Sequence, residues 1–308
     1  MSLGEREAIS ASAAATTSPP ASSASSSTAA TRAVTGLRPF NIRERSQERS
    51  GAHRAAPSSS AEAAWILSGS DSPRIFRFNE RLAEYADDGR LMGAYGPRLR
   101  RWHGRIDQLA QARNLLAADP ATRRAVIQLF DPEADAQGHM DVPCTLGYRF
   151  YLCDGLLHIH TTMRSQDLWL GFCYDIFTAT ILQELLAGWL GVQPGSYVLS
   201  VDSLHLYTPD IPKAQRLSAA APGVPMMPLA TPWETFDDLL ATVISGSTPA
   251  QSGWADMACV LTSYRARKAG DHNAAWAAAA SSPGPLAATL CRWYDHLDRD
   301  RLPAREAH

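Results

Sequence analysis

Cys144 follows Pro143 at the head of a predicted β-hairpin, where proline fixes the backbone and the thiol is free to point off the sheet. Arg164, Ser165 and Asp167 stand at the far end of that hairpin, and the next apolar run holds a lone acid, Asp175. A thiolate forms more readily beside fixed positive charge, so Arg164 suits Cys144 as a nucleophile. Taken alone, the thiol reads as a small buried hydrophobe. His158, His160 and His205 are candidate bases, although no spacing demands a cysteine–histidine pair. Arg123-Arg124 and Arg164-Ser165 are two groups fit for a phosphate, their guanidinium forks and hydroxyl matching its oxygens; the alternative for each is a solvated strand end. His205 and Tyr207 lie two apart on a predicted strand and share a face, suited to a sugar hydroxyl or to plain surface.

The elements that must position these residues are legible from periodicity and punctuation. The stretch AEAAWILSG, Ala61 to Gly69, predicts a buried helix stopped by Gly69. A second helix runs through Leu109, Leu115 and Leu116 and ends before Pro120. RRAVIQLF then gives a short strand. Asp154-Gly155 suits the left-handed turn of a tight hairpin between YRFYLC and LLHIHTTM. YDIFTATILQELLAGWL predicts a helix ending at Gly191, followed by the strand GSYVLSVDSLHLY. The remainder reads as mainly helical, with HNAAWAAAA and PLAATLCRWYDHL its clearest pieces. The fold class is α+β.

Composition limits the partners. With 45% apolar residues the chain supports a globular core, and a net charge of −2 provides no field for nucleic acid or a membrane surface, leaving local clusters such as Arg98, Arg100 and Arg101 as candidate anion sites. Five cysteines without paired short spacings predict no metal site and a reduced, cytoplasmic setting. Gln183 and Glu184 interrupt the longest apolar run, so it predicts a buried helix and no membrane span. Residues 1–30 are almost all Ser, Ala, Thr and Pro and are expected to be disordered, residues 31–300 to form one catalytic domain, and residues 301–308 a tail.

The segment PCTLGYRFYLCDGLLHIHTTMRSQDLWLGFCYDIF, with LLAGWLGVQPGSYVLSVDSLHLY after it, resembles the thymidylate synthase family. The matching features are a Pro-Cys nucleophile segment, an Arg-Ser-x-Asp-x-x-Leu-Gly segment and a His-x-Tyr clamp. EAAWILSG and YADDGRLMGAYGPRLRRW are similar to the family's glutamate-bearing helix and tyrosine loop, and DPATRRAVIQLFDP to its arginine pair. The likeness runs from about Glu62 to Tyr207 and more weakly to about Leu297. It implies a large mixed β-sheet flanked by helices and a homodimer across that sheet with shared active sites. It further implies that Cys144 adds to C6 of a pyrimidine nucleotide and that 5,10-methylenetetrahydrofolate donates a one-carbon unit to C5. Tyr95 would assist removal of the C5 proton, and Glu62 would organise a water and proton relay. Arg164, Ser165 and, from a partner subunit, Arg123 and Arg124 would hold the phosphate. His205 and Tyr207 would hold the sugar. Asp167, Leu170 and Gly171 would line the folate site, bordered by Leu82 and Tyr85.

Two departures from the family pattern carry the functional expectation. Asp175 stands where the family has asparagine. An asparagine amide donates to uracil O4 and accepts from N3–H, whereas a carboxyl that accepts from an amino group and, when protonated, donates to N3 matches cytosine. A helix-opening role for Asp175 is the alternative. Leu82 and Tyr85 stand where the resemblance expects two tryptophans, the first of which shields the one-carbon unit until hydride arrives, and leucine leaves room for water. Together these resemble the cytidylate hydroxymethylases and imply C5 hydroxymethylation of CMP or dCMP. Thymidylate synthase-type methylation of dUMP or UMP, and a catalytically silent nucleotide-binding homologue, remain open. The silent reading draws on SSSTAAT, Ser25 to Thr31, where a phosphate-loop arginine is expected and Arg32 or Arg38 would have to substitute.

Overall fold

The computed structural model describes residues 8–12, 52–169, 171–215 and 225–299. Strand β1 (Ala8–Ser12) is followed, beyond a stretch outside the described residues, by helix α1 (Ala52–Leu67). Gly69 at φ 72° then turns the chain away, in the left-handed region that glycine enters without a Cβ penalty. Two 3-10 turns, Pro73–Arg77 and Glu80–Tyr85, lead to α2 (Tyr95–Arg100) and α3 (Gln108–Ala118). Asp107 caps α3, its carboxylate accepting the Ala110 N–H at 2.9 Å. Strand β2 (Val126–Gln128) and the short helix α4 (Pro132–Asp135) precede the hairpin of β3 (Thr145–Cys153) and β4 (Leu156–Asp167). Asp154 and Gly155 both have positive φ, 51° and 71°, as the tight turn requires.

Helix α5 (Gly171–Trp189) crosses from β4 to β5 (Gln193–Tyr207), which runs parallel to β4. Beyond α6 (Ile211–Gln215) come α7 (Phe236–Ser245), α8 (Ser252–Lys268), α9 (His272–Ala280) and α10 (Pro285–Arg299). The strands form one mixed sheet in the order β1-β5-β4-β3-β2, antiparallel except for the β4–β5 pair. This is the α+β arrangement expected from the sequence. Strand β1 falls within the stretch expected to be disordered; the rest of residues 1–30, residues 31–51 and the tail 301–308 lie outside the described residues.

Alternation along the hairpin decides which face is covered. Phe150, Leu157 and Ile159 are buried, packed with Ile181, Leu182 and Leu185 of α5, and Met163 is buried on the same face, while Tyr151 and Val198 on the other face are about 40% exposed. Helix α1 lies against α5 and also meets α2, α7, α8 and α10, which makes it the hub of the helical layer. It approaches α2 closely: a Cβ on Gly96 would lie 2.4 Å from the Ser70 carbonyl oxygen, so only glycine fits. The arginines of α2 lock this junction. Arg98, buried, makes a two-pronged ion pair with Asp135 at 2.6 Å for each prong and also donates to the Leu129 and Met92 carbonyls. Arg100 donates to Asp107, Asp237 and the Leu67 carbonyl, and Arg101 to that of Gly69. These three arginines are therefore committed to structure, contrary to the expectation of a local anion site. Among the described residues no helix is long and apolar enough to cross a membrane.

Candidate active site

Cys144 lies in the turn that enters β3, and three neighbours fix that turn. Tyr95, the first residue of α2, receives the Thr145 backbone N–H on its phenolic oxygen at 3.0 Å. The Asp141 carboxylate accepts the Gly93 N–H at 3.0 Å, joining the loop before Cys144 to the loop before Tyr95. Arg164 donates from Nε to the Pro143 carbonyl at 3.0 Å and from Nη2 to that of Val142 at 2.9 Å, while its backbone N–H meets the Cys144 carbonyl at 2.9 Å. The guanidinium thus braces the turn that carries the thiol. Burial raises the thiol above its ordinary value of 9.0; Arg164 draws it down, and Asp175 and Asp141 push it up again. The expected help from Arg164 is present, but desolvation outweighs it, so the thiol is protonated at neutral pH before a substrate arrives.

Two raised carboxyls from different helices lie beside each other here, and one of them, Asp175, acts on the thiol. Burial, reinforced by Asp175 and Asp141, raises Glu62 of α1 to about 8, and its Oε2 is buried with no partner among the described residues. Burial raises Asp175 of α5 to about 6, opposed by a hydrogen bond from Gln166 Nε2 to Oδ2 at 3.0 Å. Both residues are enclosed by protein yet keep part of their surface, as groups on the floor of an open cleft do. Asp175 sits one turn inside α5, so the helix-opening alternative does not hold. Neutral and ionised acids of this kind, with values pulled apart by their surroundings, suit proton transfer.

The ends of β4 and β5 form a second group beside Arg164. Their parallel register pairs Ser165 with Ser203 and Asp167 with His205. Ser165 Oγ lies 3.5 Å from His205 Nδ1, and the rings of His205 and Tyr207 meet edge to face at 4.9 Å. Asp167 closes its own turn by accepting the Trp169 N–H at 2.9 Å. Gly171 opens α5 next to it, and a Cβ there would lie 2.9 Å from Gln166 Nε2. Leu82 packs on the core from its 3-10 turn, whereas Tyr85 is 39% exposed. Leu170 lies outside the described residues.

Not every candidate converges here. Arg123 and Arg124 are exposed ahead of β2, and among the described residues no hydrogen bond or ion pair joins them to the cleft. His158 and His160 point to the other sheet face, where they meet Ser196 and Ser200 at 2.7 Å, and so drop out as bases for Cys144. A separate cavity of about 460 Å³, lined by Arg113, Leu185, Trp189 and Trp233, contains none of the candidates.

Several cleft residues escape sequence reasoning. Tyr148 of β3 is buried beside Tyr95, Asp175, Tyr197 and Glu62, and burial raises its phenol. Tyr197 and Tyr174 are raised for the same reason, the first near Asp175 and the second near Glu62. The inward alternation of β3 and β5 is the signal for Tyr148 and Tyr197. Gln166 has no such signal, because strict alternation from Met163 would bury Ser165 and expose Gln166, whereas Gln166 is 2% exposed.

A family model described as thymidylate synthase matches residues 53–244. Among curated proteins, "Deoxyuridylate hydroxymethyltransferase" of Bacillus phage SP01 is 34% identical over 202 residues, 58% of this chain and 51% of that protein. "Putative thymidylate synthase" of Methanosarcina barkeri is 32% identical over 139 residues, 42% of this chain and 63% of that protein. The chain therefore spans about half to under two thirds of the length of these relatives.

Proposed function

Given that the chain belongs to the thymidylate synthase family, we propose that it adds a one-carbon unit from 5,10-methylenetetrahydrofolate to C5 of a cytidylate, CMP or dCMP, with water completing a 5-hydroxymethyl group. The observation that carries this reading is the Asp175 carboxyl, raised to about 6 in the same cleft as the Cys144 thiol. A carboxyl near its own titration point accepts from the cytosine amino group and donates to N3. The SP01 relative, named for hydroxymethyl transfer to deoxyuridylate, supports the hydroxymethyl outcome; the base is read from Asp175.

The side chains divide the work. Cys144 Sγ adds to C6, its proton passing to the water that Glu62 holds, and C5 becomes a carbon nucleophile. Glu62, with its raised carboxyl and unpartnered oxygen, holds water and relays protons. Tyr95, pinned by Thr145, assists departure of the C5 proton. Water then bonds through its oxygen to the exocyclic carbon that tetrahydrofolate would vacate on leaving, and the Sγ–C6 bond breaks as the water's proton returns to sulfur. Leu82 and Tyr85 leave that water a path. Arg164 and Ser165 hold the phosphate, and His205 and Tyr207 the sugar; Asp167 and Gly171 border the folate. Arg123 and Arg124, exposed at the β2 end of the sheet, complete the phosphate site of a second copy, which docks on the open sheet face of Tyr151 and Val198.

Release of tritium from C5 of labelled cytidylate tests the covalent step. Wild type should release it in the presence of methylenetetrahydrofolate, and Cys144→Ser should bind nucleotide but release none. Persistent release by Cys144→Ser would refute covalent addition.

A further inference from the structure

Asp175 selects cytosine only when its proton lies on the oxygen that faces N3. A neutral carboxyl carries one donor and one acceptor. With the proton on one oxygen it fits cytosine, whose amino group donates and whose N3 accepts; with the proton on the other it fits uracil, whose O4 accepts and whose N3–H donates. A second group has to decide which oxygen carries the proton.

Gln166 is placed to do so. Its Nε2 donates to Asp175 Oδ2 at 3.0 Å, and the same nitrogen lies 3.4 Å from the Asp167 carbonyl oxygen. That carbonyl only accepts, so turning the amide over would set Oε1 against it and against the carboxylate. Gly171 leaves the amide its place, since a Cβ there would come within 2.9 Å of Nε2. Glu62 from α1, Tyr95 from α2, Cys144, and Tyr148 and Tyr197 from the sheet also face Asp175. No other hydrogen bond to the Asp175 carboxyl is seen among the described residues. An oxygen whose lone pair already receives an N–H is the poorer proton carrier.

We propose that Gln166 is a specificity-determining positioning residue: by donating to Oδ2 it keeps the proton of a neutral Asp175 on Oδ1, and so allows the carboxyl one hydrogen-bonding sense, which fits cytosine with Oδ1 toward N3 and Oδ2 toward the amino group. The inference rests on Asp175 as the group that meets the base. It assigns Gln166, between Ser165 and Asp167, a role through Asp175 and not through contact with the nucleotide.

The test is the ratio of kcat/KM for cytidylate to that for uridylate, measured with methylenetetrahydrofolate for the whole chain carrying Gln166→Leu or Gln166→Met, each also combined with Asp175→Ala. Leucine removes the donor at similar volume, and methionine keeps the unbranched shape if leucine fails to fold. The ratio should fall by about tenfold or more in the single variants, chiefly through gain on uridylate, while KM for the folate stays unchanged. In the Asp175→Ala background the same substitutions should move the ratio less than about twofold, because the oxygen they act through is gone. A ratio unchanged in the single variants, or shifted equally in both backgrounds, overturns the proposal. A wild-type chain that prefers uridylate refutes the reading of Asp175 itself, and that value is known before any variant is compared.

Discussion

The phenolic oxygen of Tyr95 accepts the backbone N–H of Thr145 at 3.0 Å, one residue past Cys144. The phenol of α2 and the thiol ahead of β3 are thereby held in one frame, which the Arg98–Asp135 pair fixes to the exit of β2. Tyr95→Phe keeps the ring but leaves that N–H without its acceptor, at a cost of about 1–3 kcal/mol. Tritium release from C5 should fall by roughly a hundredfold or more, since proton transfer loses its partner. Urea unfolding measures the first effect and the tritium assay the second; release within about threefold of wild type would remove Tyr95 from the proton path.

Glu62 couples the cleft to stability. Its folded value, about 8, lies above its ordinary 4.5, so the folded chain holds the proton more tightly than the unfolded chain. The sign follows: this group costs nothing below about pH 4.5, and its cost grows as pH climbs toward 8. Glu62→Gln should therefore gain stability relative to wild type between pH 5 and pH 8, by up to about 1.4 kcal/mol per pH unit, while losing turnover. Unfolding midpoints at pH 5 and pH 8 check it, and a difference that does not change with pH would contradict the raised carboxyl.

How far the sequence leads depends on the kind of signal. The hairpin was legible because Asp154-Gly155 and the flanking β-rich runs agree, and α5 because Gly191 ends a long apolar stretch. Cys144, Tyr95, Glu62 and Asp175 were recognisable through ordered motifs, although far apart in the chain. Gln166 was not, since its burial comes from α5 folding back over the end of β4, a tertiary event that strand alternation does not encode. The arginines of α2 misled for a related reason: a basic cluster looks alike in sequence whether it faces solvent or, as with Arg98, a buried aspartate.

Asp175→Asn combined with Gln166→Leu should invert the base preference, because an amide released from the Gln166 donor places its own donor toward O4 and its acceptor toward N3–H. The cytidylate to uridylate ratio of kcat/KM should shift by roughly ten- to a thousandfold. The wild-type ratio should also fall as pH rises past about 6, because the donor toward N3 is lost when the carboxyl ionises, and Asp175→Asn should show no such titration. A ratio left unchanged by these substitutions would make Asp175 a structural residue.

The mass of the product separates hydroxymethylation of a cytidylate from methylation of a uridylate and from a silent chain. The full chain is incubated with methylenetetrahydrofolate and, separately, with CMP, dCMP, UMP and dUMP, and each nucleotide is weighed afterwards. A cytidylate should gain CH2O, the mark of water completing the transfer. Gain of CH2 on a uridylate, or no change in any of the four nucleotides, would contradict it.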